Sequence, residues 1–155
     1  MEKTNKIKVV IADDNKLFRE GIKAIFDANE DIEVIGEAKD GFEAIRSIKQ
    51  KRPDLLLLDM SMPRLNGISV ILDIRREFKD LKILALTMHD DGSFIHEAFE
   101  AGVNGFCVKD ASLDELLLAV HSLMCDRIFI SPKIGDGILQ QYIQNQREPE
   151  APAEH

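Results

Sequence analysis

The chain has 155 residues, 45 % hydrophobic and 31 % charged, with a formal net charge of -8; it can bury the core of one domain but is too acidic for this segment itself to coat a phosphate backbone, which takes clustered Lys and Arg. No apolar stretch reaches the roughly 18 residues that span a bilayer, and the polar opening Met1 to Lys6 leads into only a strand-length apolar run, so neither a signal peptide nor a membrane anchor is expected. Its two cysteines, Cys107 and Cys125, offer neither a disulfide framework nor metal-ligand spacing; they suit a reducing, cytoplasmic compartment and read as small apolar packers.

Along the chain, short apolar runs alternate with longer stretches whose apolar residues recur every three or four positions, the pattern of repeated βα units. The first run, Ile7 to Ala12, predicts a strand and precedes a helix with the stripe Leu17, Gly21, Ile22, Ile25 and Phe26. A second strand near 32–38 carries Glu33 and Glu37 among its apolar residues and reads as a sheet edge. The first strand and those near 55–59 and 82–87 are continuous Val, Ile and Leu runs, which implies burial on both faces, as helix-covered parallel sheets require. A fifth strand near 105–109 leads to a helix with the stripe Leu116, Val120 and Leu123.

Asp40-Gly41, Asn66-Gly67, Asp91-Gly92 and Asn104-Gly105 punctuate these units as turns, and Pro53 and Pro63 fall between elements. Arg75-Arg76 and the run Lys49 to Arg52 read as solvated faces. After Cys125, Ile128-Phe129-Ile130 leads to Ser131-Pro132, a helix start with proline in the first turn. Ile134, Ile138, Leu139 and Tyr142 then form a stripe, favouring docking on the domain over a dimer seam. Glu148 to His155 is rich in Pro and acid and reads as a disordered linker. Right-handed crossovers and an edge position for the second strand favour a flavodoxin-like, doubly wound, five-stranded parallel sheet of order 2-1-3-4-5 with an extra C-terminal helix.

Such sheets bind ligands at the crevice beyond the carboxyl ends of their strands. Asp13 and Asp14 follow the first strand and Asp59 closes the third, so three carboxylates converge there. Crowded carboxylates repel one another, and a hard cation with few protein oxygens relieves them, which suits Mg2+ better than Ca2+. Thr87 and Lys109, at the ends of the fourth and fifth strands, supply a hydroxyl and an ammonium for an anion's remaining oxygens. The set describes a phosphoryl-group pocket with Asp59 as the best placed nucleophile. Taken singly each residue has a plainer reading: Asp13-Asp14 as a helix cap, Thr87 as another, Lys109 as a surface lysine, Phe106 as core. His89, His96 and His121 lack metal-site spacing.

Val10-Ile11-Ala12-Asp13-Asp14, Leu58-Asp59-Met60-Ser61-Met62-Pro63 with Asn66-Gly67, Leu86-Thr87, and Gly105-Phe106-Cys107-Val108-Lys109 together resemble the receiver domain of a two-component response regulator. The wording Asp13-Asp14-Asn15, Leu17-Phe18-Arg19-Glu20-Gly21, Lys109-Asp110 and Ile130-Ser131-Pro132 is similar to the branch with a LuxR-type helix-turn-helix output. That resemblance implies that a sensor histidine kinase phosphorylates Asp59 and that Asp14 ligates Mg2+ directly. It also implies that Asp13 helps hold the ion, often through water, and that the Ser61 backbone carbonyl is a further ligand. Lys109 and Thr87 would contact the phosphate, Phe106 would reorient, and Ser61 and His89 would tune dephosphorylation. It implies a receiver over 6–127, a linker helix and tail over 128–155, DNA contact only through an output domain not in this chain, and a possible homodimer on activation. Asp110, where many receivers have proline, predicts a trans peptide after Lys109. The competing readings are a small Mg2+-dependent phosphohydrolase, which needs a second acid where Ser61 stands, and a flavin or nucleotide module, which would carry G-x-G-x-x-G after the first strand.

Overall fold

Leu55, Leu56, Leu57 and Leu58 are all fully buried, and in a strand, where side chains alternate, that requires cover on both faces. The computed structural model describes residues 6–62, 66–88 and 92–147, and it places this run as β3 (Leu55–Asp59) inside a parallel sheet. The other strands are β1 (Ile7–Ala12), β2 (Ile32–Ala38), β4 (Lys82–Thr87), β5 (Gly105–Val108) and β6 (Phe129–Ile130). Between them lie α1 (Lys16–Asp27), α2 (Gly41–Lys51), α3 (Gly67–Glu77), α4 (Gly92–Ala101) and α5 (Leu113–Met124), with α6 (Pro132–Arg147) last.

The strand order is β2-β1-β3-β4-β5-β6, which is the expected 2-1-3-4-5 extended by one strand. β6 is only two residues long, too short for any periodicity to announce it. It forms because Phe129 and Ile130 pair in parallel with Gly105 and Phe106, and Ser131 continues the edge by donating its N–H to the Phe106 carbonyl at 2.9 Å. The buried Ser131 Oγ accepts the Val108 N–H at 3.0 Å and donates to Glu115.

Alternation along the strands sends side chains into two separate cores. Val9, Ile11, Leu55, Leu57, Leu84, Leu86 and Cys107 meet Ile22 and Phe26 of α1 and Leu116, Val120 and Leu123 of α5. Val10, Ala12, Leu56, Leu58, Ile83, Ala85 and Phe106 meet Ala44 and Ile48 of α2, Ile71 and Ile74 of α3, Ile95 and Ala98 of α4, and Ile134 of α6. Each large aliphatic side chain so buried contributes about 1.5–3 kcal/mol of hydrophobic stabilisation.

The helix caps explain several turn signals. Asn15, Asp40, Asn66 and Ser112 accept the backbone N–H of Phe18, Glu43, Ser69 and Glu115, so Asp40-Gly41 and Asn66-Gly67 mark helix starts rather than free turns. Asn15, not Asp13 or Asp14, is the cap of α1. The buried face of α1 is Ile22 and Phe26, flanked by the half-buried Phe18 and Ile25, while Leu17 is 78 % exposed and Gly21 faces solvent. The expected stripe was rotated toward Leu17, whose apolarity does not serve the core.

Three further expectations change. Arg75 is half-buried rather than solvated: its guanidinium donates to the carbonyls of Gly102 and Phe78 and to Asn104 Oδ1 at 2.7–2.9 Å, tying α3 to the entrance of β5. Cys125 is exposed, because it caps the end of α5, while Cys107 packs in the core as expected. The stripe of α6 docks by its first half only, through Ile134 and Ile138; Leu139 and Tyr142 are exposed. Pro63, Asp91 and the tail from Glu148 lie outside the described residues, and among the described residues no helix is long and apolar enough to cross a membrane.

Candidate functional site

Parallel strands present their carboxyl ends at one edge, and their register sets which residues meet there. Ala12 pairs with Leu58, so Asp13 and Asp59, one residue further along each strand, stand side by side. Asp59 pairs in turn with Leu86, and Thr87 with Val108. The backbone continues this bracing past the strand ends: Met60 N–H donates to the Leu86 carbonyl at 2.9 Å and Lys109 N–H to the Thr87 carbonyl at 2.8 Å. Four successive strand ends therefore fix Asp13, Asp59, Thr87 and Lys109 at one rim.

Asp13 and Asp59 are each only 1 % exposed. Asp13 Oδ1 accepts the Asn15 N–H at 2.8 Å and Asp59 Oδ1 accepts the Ser61 N–H at 2.9 Å, so each acid folds its own loop around itself in the manner of an Asx turn. Their other oxygens face the Lys109 ammonium, at 3.0 Å from Asp13 Oδ2 and 3.1 Å from Asp59 Oδ2. That ammonium also lies 4.6 Å above the Phe18 ring centroid, a cation–π contact. Among the described residues Asp13 Oδ2 has no aligned hydrogen-bond donor; the Lys109 contact is one of charge on charge.

Asp14 is exposed and completes the cluster, with one oxygen from each of Asp13, Asp14 and Asp59 lying within 4.8 Å of the others. Burial pushes the Asp13 carboxyl above its ordinary pKa, the neighbouring Asp59 charge adds to this, and the Asn15 N–H and Lys109 oppose it. For Lys109 burial disfavours the ammonium, but the contacts with the Asp13 and Asp59 carboxylates outweigh it and hold its pKa above the ordinary lysine value. With all groups ionised, three carboxylates against one ammonium leave a formal charge of -2. A buried oxygen without an aligned donor, a hard all-oxygen donor set and a deficit of two positive charges fit a divalent cation of the magnesium type, and the exposed side at Asp14 leaves room for its waters or a phosphate.

The structure thus brings Asp13, Asp14, Asp59 and Lys109 together as the sequence suggested. Thr87, 5 % exposed, closes β4 at the same rim. Ser61 is exposed beside Asp59, and the Lys109–Asp110 peptide is trans. Phe106 is fully buried, its ring 5.6 Å from that of Phe99 on α4 and tilted by 60°. His89 lies outside the described residues. The sequence reading assigned no role to Phe18 or Arg19, although Arg19 donates to the Asp13 carbonyl at 2.6 Å. Helical side chains lean back toward the N-terminus, so a long cation one turn into α1 was a usable signal for contact with the preceding strand end.

Comparison with known proteins gives a consistent result. A sequence model of the response regulator receiver domain matches residues 9–121. The transcriptional regulatory protein DegU of Brevibacillus brevis is 34 % identical over 149 residues, covering 95 % of this chain and 63 % of the relative. The chain therefore spans less than two thirds of the length of that relative. Among solved structures, a LuxR-family two-component response regulator from Aurantimonas sp. SI85-9A1 superimposes with a TM-score of 0.85 at 30 % identity, covering 89 % of this chain and 99 % of that one. The isolated REC domain of RcsB from Salmonella enterica serovar Typhimurium, solved in the presence of the phosphomimetic BeF3-, gives 0.78 at 27 % identity, covering 85 % and 98 %.

Proposed function

Because the chain belongs to the response regulator receiver domain family, we propose that it is the phosphorylation-controlled switch of a transcriptional regulator, with Asp59 as the phosphoacceptor. The observation that carries this reading is the Lys109 ammonium held between two buried carboxylates from different strand ends. A structural ion pair needs one acid; here a second acid and a third at the surface leave negative charge unmet. Receiver domains accept their phosphoryl group from sensor histidine kinases, and such a kinase is the proposed partner, in the cytoplasm. The phosphohydrolase alternative is not favoured, since Ser61 stands where it needs a second acid.

In the transfer, an Asp59 carboxylate oxygen attacks phosphorus; the O–P bond forms, the donor's P–N bond breaks, and the electron pair returns to the donor imidazole, which takes up a proton. Asp13, Asp14, Asp59 and the Ser61 carbonyl would hold Mg2+, which when bound supplies positive charge to the carboxylates and the phosphoryl oxygens. Burial keeps Asp13 and Asp59 poorly hydrated, and the Ser61 N–H orients the Asp59 carboxylate before the donor arrives. Lys109 then has a dianion to contact in place of two carboxylates.

The new charge also draws in the Thr87 hydroxyl, at the end of the neighbouring strand. Movement there reaches Phe106 and, through its ring contact with Phe99, α4. Ser61, two positions after Asp59 in sequence, and His89, two after Thr87, would govern how water reaches the acyl phosphate. Residues 6–127 form the receiver in this reading and 128–155 lead toward a DNA-binding output, with homodimerisation on activation as a further step. Incubation with Mg2+ and acetyl phosphate should add one phosphoryl group to the chain by intact mass and none to Asp59→Ala. Equal labelling of the variant would overturn the assignment.

A further inference from the structure

Asp13 is held at every polar atom except one. Its N–H donates to the Ala38 carbonyl at 2.9 Å, its Oδ1 accepts from the Asn15 N–H at 2.8 Å, and its carbonyl accepts from Arg19 Nη1 at 2.6 Å. Oδ2 alone, the atom facing the pocket, has no aligned donor among the described residues. The Arg19 side chain is 13 % exposed and is itself braced: Nε donates to Glu37 Oε1 of β2 at 3.0 Å, and Lys23 stands 3.8 Å from the other Glu37 oxygen. A guanidinium can span a carbonyl and a carboxylate at once because its donors form a rigid planar fork; a lysine reaches one acceptor at a time.

We propose that Arg19, braced by Glu37, is a positioning residue for the divalent cation of the acidic pocket. It fixes the peptide plane after Asp13 and so holds Asp13 Oδ2 toward the ion or its water shell. This rests on the metal-dependent phosphoacceptor reading above and adds to it a contact lying outside the carboxylate cluster. The sign of the effect separates it from bare electrostatics. A lone cation beside a cation site opposes binding, so its removal would tighten the metal; Glu37 offsets that charge here, and what removal takes away is the orientation of a buried ligand. Outer contacts that orient metal ligands typically change affinity by about 10–100-fold.

The test is titration of the full chain with Mn2+ alone, free ion being read by its electron paramagnetic resonance signal, alongside urea midpoints for the same proteins. Arg19→Ala is expected to weaken Mn2+ binding about ten-fold. Arg19→Lys, which retains the charge but reaches one acceptor, is expected to weaken it less, and it keeps the test open should Arg19→Ala fail to fold. Wild-type or tighter affinity in either folded variant overturns the proposal, including the case where stability falls and affinity does not. A wild-type chain that binds no Mn2+ but still takes phosphate on Asp59 overturns it as well, while leaving the phosphoacceptor reading in place.

Discussion

Lys109 Nζ lies 3.1 Å from Asp59 Oδ2 although the two residues are 50 positions apart in sequence, and the same ammonium is 3.0 Å from Asp13 Oδ2. Lys109→Met therefore leaves two buried carboxylates facing each other without their cation. Removing one partner of a buried pair costs up to 3–5 kcal/mol; with Lys109 still 15 % exposed and Asp14 open to water, about 2 kcal/mol is expected here. A divalent cation can replace the missing charge, so Mg2+ should stabilise the variant more than the wild type. Urea unfolding with and without Mg2+ checks this, and an equal Mg2+ increment in both proteins would contradict it.

His121 offers a second titratable contact, far from the pocket. Its Nδ1 lies 2.9 Å from the Leu117 carbonyl and its Nε2 2.7 Å from Asp31 Oδ2. Both neighbours are acceptors, so the doubly protonated ring satisfies both. The bond to Asp31 raises the His121 pKa above its ordinary value against the opposing effect of burial, and the bond from His121 lowers that of Asp31.

The raised histidine contributes stability that is complete below about pH 6.5, its unfolded value, and is lost as pH rises through the higher folded value. The lowered aspartate contributes above about pH 3.9 and loses that contribution as pH falls through its folded value. Relative to His121→Gln, the wild type should be most favoured between these limits and lose the advantage on the alkaline side. Both side chains are about half exposed, so the difference should stay below about 1 kcal/mol. Urea midpoints of the two proteins from pH 5 to 9 measure it, and parallel profiles would refute the assignment.

The two cysteines should behave as different chemical species. Cys107 is fully buried in β5, and desolvation, with the nearby Glu115 charge adding to it, pushes its pKa to about 11 against the opposing effect of the neighbouring Ser131 hydroxyl. The thiolate is the reactive form, so Cys107 should resist an aromatic disulfide reagent at neutral pH. Cys125 is exposed and should react at once. The expected count is one thiol per native chain and two in denaturant. Rapid reaction of two in the native state would show that β5 opens far more readily than its burial implies.

How far the sequence could be read follows from how each feature is encoded. The order of the first five strands was legible because doubly buried strands must be apolar at every position, as Leu55 to Leu58 are, while an edge tolerates Glu33 and Glu37. The acidic cluster was legible because strand ends place Asp13, Asp14 and Asp59 by topology alone. β6 was not, because two residues carry no period and its partner is a backbone edge. Arg75 was not, because an arginine that closes on a backbone carbonyl has the same one-letter context as one in water; Arg19, one turn into α1, carried a positional signal that only its reach to the Asp13 carbonyl makes plain. The α1 stripe was read toward Leu17 rather than its neighbour Phe18 because both are apolar, and only packing against the sheet separates the exposed Leu17 from the half-buried Phe18.

Two glycines give opposite expectations from one substitution. At Gly105 an added Cβ would lie 2.8 Å from the Phe129 carbonyl oxygen and 2.9 Å from Leu123 Cδ1. The first contact is the backbone of β6 itself, which pairs with Gly105, so relief requires β6 to move away from β5. Gly105→Ala should therefore destabilise by about 1–3 kcal/mol, the usual range for overpacking, and it should loosen β6 first, visible as faster amide exchange at Ser131. At Gly21, within α1, an added Cβ meets nothing within 4 Å. Alanine there narrows the unfolded ensemble and favours helix, so Gly21→Ala should stabilise by about 0.5–1 kcal/mol. The sites lie on separate elements and should add within about 0.5 kcal/mol in the double variant. Urea unfolding of the wild type and the three variants decides it: a loss at Gly21 would show that α1 needs flexibility at that position, and a neutral Gly105→Ala would show that β6 is held less tightly than its register with β5 indicates.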